Sequence, residues 1–242
     1  MPFCICRDIM QAKGKKGQKM FLYETHLHTS PVSKCAHAGV KETVEFYKKA
    51  GYDGIFITNH FIDGNIDVDA EASYQEKLEY FCSDFEAAKR LGDKIGIKVF
   101  FGIEMSYKGT DFLVYGLDKE WFLTHPEIMD MKKSEQLPFM AIHGALIIHA
   151  HPFREASYID HIRLFPRQVH GVEVYNANRK DFENVMAEIY AKQYGLILFA
   201  GSDNHLGKRQ EHFGGMQSET AIESEEQFIE FVANGKLAPF KK

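Results

Sequence analysis

The sequence predicts an α/β protein of one domain whose strands close, or nearly close, into a barrel. Short runs rich in Ile, Val, Leu and Phe alternate with helical patterns, which is the mark of strand–helix units and a parallel sheet. Seven such runs fall between residues 21 and 200, a number that suits a barrel better than an open doubly wound sheet. Several are apolar almost throughout, as strands covered on both faces should be.

The predicted strands are Phe21–Tyr23, Gly54–Thr58, Lys98–Ile103, Phe112–Gly116, Ala145–His149, Gly171–Tyr175 and Leu196–Ala200. Helices are expected between them. Lys41–Ala50 ends at Gly51, and Ser73–Leu91 carries Tyr74, Leu78, Phe81, Phe85 and Ala88 at helical spacing before Gly92. Asp181–Tyr194 presents Phe182, Val185 and Ile189 before Gly195, and Ser224–Ala233 opens on the Ser224-x-x-Gln227 capping pattern. Residues 1–20 are basic and Gly-containing and read as a loose leader, with residues 21–242 as the domain.

The charge balance removes several classes of function. With 29 Lys+Arg against 34 Asp+Glu the net charge is −5, and no basic stripe extends beyond Lys13–Lys19, so long nucleic acids are not expected as partners. Apolar runs stay below the ~18 residues of a membrane span. No apolar stretch precedes a small-residue cleavage site near the start, which argues against secretion. Cys4, Cys6, Cys35 and Cys82 form neither a CxxC pair nor a disulfide framework, as expected of a cytoplasmic protein.

Twelve histidines are present, and their placement is informative. The first strand leads into Glu24-Thr25-His26-Leu27-His28-Thr29 and the second into Asn59-His60. The third ends at Glu104, the fifth at His149-Ala150-His151, the sixth at Glu173-Val174-Tyr175-Asn176 and the seventh at Ser202-Asp203-Asn204-His205. In an α/β barrel these ends converge on one mouth, where sites are built. His26-x-His28 places two rings on one face of an extended chain, and Asp203-x-His205 repeats the spacing. Glu104 can offer its two oxygens to two different ions. Taken singly, His60 is an ordinary structural histidine and Glu173 a buried ion-pair partner. Taken together, the strand ends describe a metal site.

The ordered set His26-Leu27-His28-Thr29, Ile57-Thr58-Asn59-His60, Gly102-Ile103-Glu104, Ala150-His151-Pro152 and Gly201-Ser202-Asp203-Asn204-His205 resembles the PHP (polymerase and histidinol phosphatase) family over nearly the whole chain. The resemblance implies a distorted TIM-like (β/α)7 barrel with two or three divalent ions (Zn, Mn or Fe) at its mouth and phosphoester hydrolysis as its activity. It gives His26, His28, Glu104 and Asp203 to a first ion, Glu104 and His151 to a second, and His60 and His205 to a third. The third ion's remaining ligand is matched best by His37, with Cys35 competing on the same long loop. Where family members carry a His before the fourth strand this chain has Asp111, either a harder ligand or an Asp capping the Gly109-Thr110 turn. Asn59 stands where an Asp is frequent, which alters a partner of the ligands rather than a ligand.

Clustered ions lower the pKa of a bound water and neutralise a phosphoryl group, so the expected reaction is attack of a metal-bound hydroxide on a phosphomonoester of a small molecule. Neither a P-loop nor a Ser-centred elbow is present. Arg154, directly after His151-Pro152-Phe153, is the expected phosphate contact, with a salt bridge to Glu155 or a loop carboxylate as its other reading. Arg179 and Lys208 are further substrate-binding candidates. His149 is read either as a proton donor to the leaving group, on a strand face shared with His151, or as a buried histidine without a catalytic part. Two other functions compete: a phosphodiesterase or exonuclease acting on nucleotides or short oligonucleotides, and a catalytically idle metal-binding domain.

Overall fold

Residues 19–242 are described by a computed structural model. The leader, Cys4 and Cys6 lie outside those residues, except for positions 19 and 20. Each expected strand segment forms a strand: β1 (Phe21–Glu24), β2 (Gly54–Ile57), β3 (Lys98–Tyr107), β4 (Thr110–Tyr115), β5 (Leu146–Ala150), β6 (Gly171–Asn176) and β7 (Ile197–Gly201). They join one sheet in chain order from β1 to β7. Past its strand, β7 returns to β1. His28 N–H donates to the Asn204 carbonyl at 2.9 Å and Asn204 N–H to the His26 carbonyl at 3.3 Å. The sheet therefore curls into a nearly closed barrel, and its first and last strands meet where the two His-bearing motifs emerge.

Two strands lay outside the expectation. β8 (Gly214–Ser218) pairs antiparallel to β1, and β9 (Leu237–Lys241) pairs antiparallel to β8. Neither carries a strong apolar alternation, and Pro239 is tolerated because β9 is the sheet edge. The sheet is also not wholly parallel. Lys108 and Gly109, both at positive φ, turn β3 straight back into β4, which runs antiparallel to β3 and β5. That reversal brings the start of β4, rather than its end, to the mouth.

Helix α1 (Val40–Lys49) follows β1, and α2 (Tyr74–Ile95) follows β2. α2 opens on a reciprocal capping box between Ser73 and Glu76 and continues through Gly92 to a left-handed Gly96. Gly92 is a contact residue, not a stop: a Cβ there would lie 2.6 Å from Val99 Cγ2 on β3. Two helices without a clear sequence signal, α3 (Lys119–Thr124) and α4 (Lys133–Ile142), bridge β4 to β5. The last two are α5 (Asp181–Tyr194) and α6 (Glu225–Ala233). α5 buries Ala187, Tyr190 and Ala191, while the expected apolar face, Phe182, Val185 and Ile189, is about half exposed. Small residues seat this helix closely on β6, so the larger ones turn outward. Among the described residues no helix is long and apolar enough to cross a membrane.

Strand alternation divides the interior into layers. Tyr23, Phe56, Phe100, Leu113, Tyr115, Ile148 and Phe199 fill the barrel, with Phe228 of α6 packed against them. Phe101, Ile103, Met105, Phe112 and Ile147 face the surrounding helices. Glu104 shares the parity of Phe100, and Asp111 that of Leu113, so both carboxylates point inward above the apolar plug. Gly201 must be small at this junction, since a Cβ would lie 2.5 Å from His26 Cβ and 2.7 Å from Glu173 Oε1. Gly201→Ala is expected to lower unfolding free energy in urea by about 1–3 kcal/mol, the usual cost of overpacking a core; an unchanged midpoint would contradict the close approach.

Candidate metal centre

Seven side chains from five strand ends converge above the barrel core: His26 and His28 after β1, His60 after β2, Glu104 on β3, His151 after β5, and Asp203 and His205 after β7. All but His205 are buried. Two reach the cluster through backbone in the left-handed region, His151 at φ 27° and Asp203 at φ 50°. Such φ values are costly for these residues and accumulate at functional sites. For His151 the turn is decisive, because regular strand alternation after Ala150 would aim its ring outward.

Glu104 is the hub. Its Oε1 lies 3.3 Å from His26 Nε2 and 3.2 Å from His151 Nε2, and its Oε2 lies 3.3 Å from His28 Nε2 and 2.8 Å from His60 Nδ1. Asp203 Oδ1 stands 3.4 Å from His26 Nε2, His28 Nε2 and His205 Nδ1. His26 Nε2 and His28 Nε2 approach each other to 3.2 Å. Yet His60 Nδ1 and Glu104 Oε2 are buried with no hydrogen-bond partner among the described residues despite their closeness, whereas Asp111 Oδ2 is ion-paired with Arg154 Nη2 at 2.9 Å. Imidazole nitrogens and carboxylate oxygens crowded this closely suit a cation. Four ligand groups arise: His26/His28/Glu104, His26/His151/Asp203, Glu104/Asp111/His151, and His28/Cys35/His60/His205.

The electrostatics agree. Burial opposes charge on His26, but Glu173, Asp203 and Glu104 hold its imidazolium well above the usual range. Burial likewise opposes charge on His60 and His205, and Glu104 and Asp203 respectively override it, so both are raised. Burial would raise both carboxyls, but His60 and His26 draw Glu104, and His26 and His205 draw Asp203, well below the ordinary carboxylate range. Positive charge, supplied by protons or by metal, is what lets two carboxylates stay ionised here.

An outer layer fixes the rings. His26 Nδ1 bonds Glu173 Oε1 at 2.9 Å, and Glu173 Oε2 accepts from the His151 backbone and from Asn176 Nδ2. This leaves His26 Nε2 for the cluster. His28 Nδ1 bonds Ser33 Oγ, which donates to Asn59 Oδ1; Asn59 and Thr29 in turn meet Asp84 of α2. Glu24 Oε1 accepts from the backbones of His26 and Ser202, tying the two ligand loops together, while Tyr47 donates to Oε2. Burial, opposed by bonds from Ser202, His26 and Tyr47, raises Glu24 to about 7. Sequence reasoning gave no part to Glu24, Asp84 or Ser33. The available signals were a Glu closing an apolar strand and an Asp at position 84, on the helical face of Phe81 and Ala88.

Four sequence-based expectations need correction or refinement. His37 is exposed and contributes only its backbone N–H, to the His205 carbonyl; Cys35 is the loop residue that faces the histidines. Burial alone would raise the Cys35 thiol, but hydrogen bonds with His205 and His60 and the charge of His28 bring it down to about 5. His149 does not share a face with His151. It pairs in register with Phe112 and packs on the outer side of β5 among Phe112, Phe165 and Tyr190, where burial and the charge of His151 push it down to about 3. Lys208 is exposed and borders a groove along α1 beside Glu42, away from the mouth. Asp111 is buried at the mouth as an inward residue of β4, not as a turn cap, and its Oδ2 lies 2.9 Å from Arg154 Nη2.

A cleft of about 610 Å³ opens above the cluster, lined by Glu104, Asp111, His151, Asp203 and His205 below and by Arg154, Tyr158, Asn178 and Arg179 at its side. Arg154 Nη2 also donates to the Gly109 carbonyl, while the Nε atoms of Arg154 and Arg179 are buried without hydrogen-bond partners among the described residues.

No family profile matches the sequence, and no curated protein matches it. Solved structures do match the fold. A two-domain protein from Bacteroides vulgatus containing a predicted PHP-like metal-dependent phosphoesterase is 16% identical, with a TM-score of 0.68 over 98% of this chain and 69% of that one. A predicted metal-dependent phosphoesterase from Bifidobacterium adolescentis is 12% identical, with a TM-score of 0.52 over 89% of this chain and 97% of its own. An amidohydrolase from Chromobacterium violaceum, described with bound sulfate and no metal, is 12% identical, with a TM-score of 0.50 over 87% and 96% of the two chains. The chain thus has the distorted barrel fold of PHP-like phosphoesterases.

Two outcomes follow from the geometry. Glu173→Gln is expected to leave the fold intact and to weaken metal binding by about 10–100-fold, the usual effect of losing a partner that orients a ligand ring, as read by competition with a chromogenic chelator. Without metal, the raised histidines stabilise the protein fully below pH ~6.5 and lose that contribution as pH rises through their folded values. The chelated protein is therefore expected to melt at a lower temperature at pH 9 than at pH 6.5, and added Zn2+ or Mn2+ to remove the difference. A melting temperature that climbs with pH in the chelated protein would contradict the charge assignment.

Proposed function

We propose that this protein is a metal-dependent phosphatase that hydrolyses a phosphomonoester of a small molecule, with two or three divalent ions, Zn, Mn or Fe, as its cofactors. The observation that carries the reading is the convergence of four histidines on Glu104, with Asp203 and His205 beside them, beneath a cleft edged by arginines. His26, His28, His60, Glu104, His151, Asp203 and His205 would hold the ions, with Cys35 beside His28, His60 and His205 and Asp111 beside Glu104 and His151. Ions bound there would make water a stronger nucleophile near neutral pH and offset charge on phosphoryl oxygens.

The chain's own residues supply the rest. Glu104 faces four imidazoles with two oxygens, so one buried carboxylate can serve two neighbouring ions. Glu173, Ser33 and Glu24 hold the ligands in place, so little reorganisation is needed when substrate enters. Arg154 and Arg179 border the cleft with buried, unpaired Nε donors, and a planar fork suits the oxygens of a phosphate. Asp111 keeps Arg154 beside the ligands rather than in solvent. With a net charge of −5, a long polyanion is not the expected partner. The similar folds from Bacteroides vulgatus and Bifidobacterium adolescentis, both predicted metal-dependent phosphoesterases, support the same reaction class.

Protein purified without chelator is expected to carry at least two divalent ions per chain and to hydrolyse p-nitrophenyl phosphate in preference to its bis ester, with turnover lost to EDTA. His26→Ala and Asp203→Ala should abolish turnover while keeping the barrel's circular dichroism. Arg154→Ala should raise KM by about tenfold or more, as loss of a charge-assisted contact implies. Preference for the bis ester would replace the phosphatase reading with a diesterase one. Bound metal without turnover of either ester or of a panel of metabolite phosphates would favour an idle metal-binding domain.

A further inference from the structure

The donor atoms of the centre are not mixed evenly, and this inference rests on the metal-dependent reading above. One group consists of three imidazoles and a thiol, His28, His60, His205 and Cys35, with ligand atoms all within 4.8 Å of one another. Another consists of two carboxylates and one imidazole, Glu104, Asp111 and His151, under the same limit. The two sets share no residue. Glu104 borders the first through its Oε2, 3.3 Å from His28 and 2.8 Å from His60, so the first set meets one carboxylate beside its sulfur, whereas the second has two carboxylates, one of them also paired with Arg154, and no sulfur.

The sequence places the two sets on different structural elements for separate reasons. Cys35 arrives on the loop between β1 and α1, a loop held to the far strand by the bond from His37 N–H to the His205 carbonyl. Asp111 arrives on the reversed strand β4, opposite Ser106 and Ala150 in the ladder. Cys35 and Asp111 therefore come from different elements, although both line the same cleft. Thiolate and imidazole ligands select zinc, whereas carboxylate-rich positions suit manganese and ferrous iron.

We propose that the centre is heterometallic: the position built with Cys35 selects Zn2+, and the position built with Asp111 takes a harder, more readily exchanged ion, Mn2+ or Fe2+. Sorting would come from ligand softness within one cluster rather than from two separate sites.

The test uses the full chain stripped of metal and loaded with Co2+, followed by absorption spectroscopy. A sulfur-to-cobalt charge-transfer band in the near ultraviolet is expected. Cys35→Ser should remove that band and keep the visible ligand-field bands of cobalt at the remaining positions. A Cys4→Ser, Cys6→Ser double variant should keep both. In parallel, the stripped protein is equilibrated with limiting Zn2+ and excess Mn2+, then assayed for bound elements. Wild type should retain one Zn2+ per chain with Mn2+ at the remaining positions, and Cys35→Ser should weaken the retained Zn2+ by about tenfold or more. Cobalt bound without a charge-transfer band, or zinc retention unchanged in Cys35→Ser, would overturn the sorting while leaving the metal-dependent reading intact. Absence of bound cobalt in any form would overturn both.

Discussion

A single buried carboxylate sets the terms for the rest of this structure. Glu104 sits in the barrel mouth with four imidazoles within 3.3 Å of its two oxygens, and Asp203 adds a second negative group to the same space. Removing such groups from water is expensive unless positive charge accompanies them. The surrounding histidines supply it as protons in the free protein, and a metal ion can supply it in their place. The same balance lowers the carboxyl pKa values and raises those of His26, His60 and His205. Metal affinity and proton affinity at this centre are therefore two views of one electrostatic constraint.

Strand geometry delivers the ligands and also decides which neighbours are excluded. Period-two alternation puts Phe100 in the barrel plug and Glu104 above it, while it sends His149 outward beside Phe112. Left-handed backbone at His151 and Asp203 breaks that alternation where a ligand is required. The reversal at Lys108-Gly109 makes β4 antiparallel, so Asp111 near its start reaches the level occupied elsewhere by strand C-termini. Closure of β7 against β1 completes the arrangement, with Glu24 bonding both ligand loops at once. The barrel is thus less a neutral support than a device that fixes the parity and height of each donor.

The outer layer also explains why the centre can be rigid while lined by loops. Glu173, Ser33, Asn59 and Asp84 form bonded chains from the ligand rings into β6, the β1–α1 loop and α2. The cleft above is more permissive. Arg154 is held by Asp111 and Gly109, but both it and Arg179 line the cleft and keep a buried Nε donor unpaired among the described residues. Rigid ligands below and cationic, partly free side chains above are what a site needs when the reacting group is constant and the rest of the substrate supplies selectivity.

Most of the architecture was legible from local signals. Apolar runs marked the seven barrel strands, glycines marked most helix ends, and the HxH, Glu104, His151 and DxH residues at strand ends marked the centre, because strand ends in such a barrel can only converge. The reversed β4 and the β8–β9 pair were not legible, since hydrogen-bond direction between strands leaves little trace in hydropathy. Gly92 read as a helix stop because close packing against Val99 and a C-terminal cap call for the same residue. His37 was preferred to Cys35 on residue type alone; loop path, which depends on contacts with His205 far along the chain, turned the thiol inward and the imidazole outward. His149 was placed with His151 by counting alternate residues, and one positive φ undid that count. Sequence by itself determined which chemical groups stand at the strand ends, because that follows from local periodicity. Only the tertiary structure decided which of them face one another, because facing depends on strand direction, backbone handedness and long-range hydrogen bonds that no local pattern encodes.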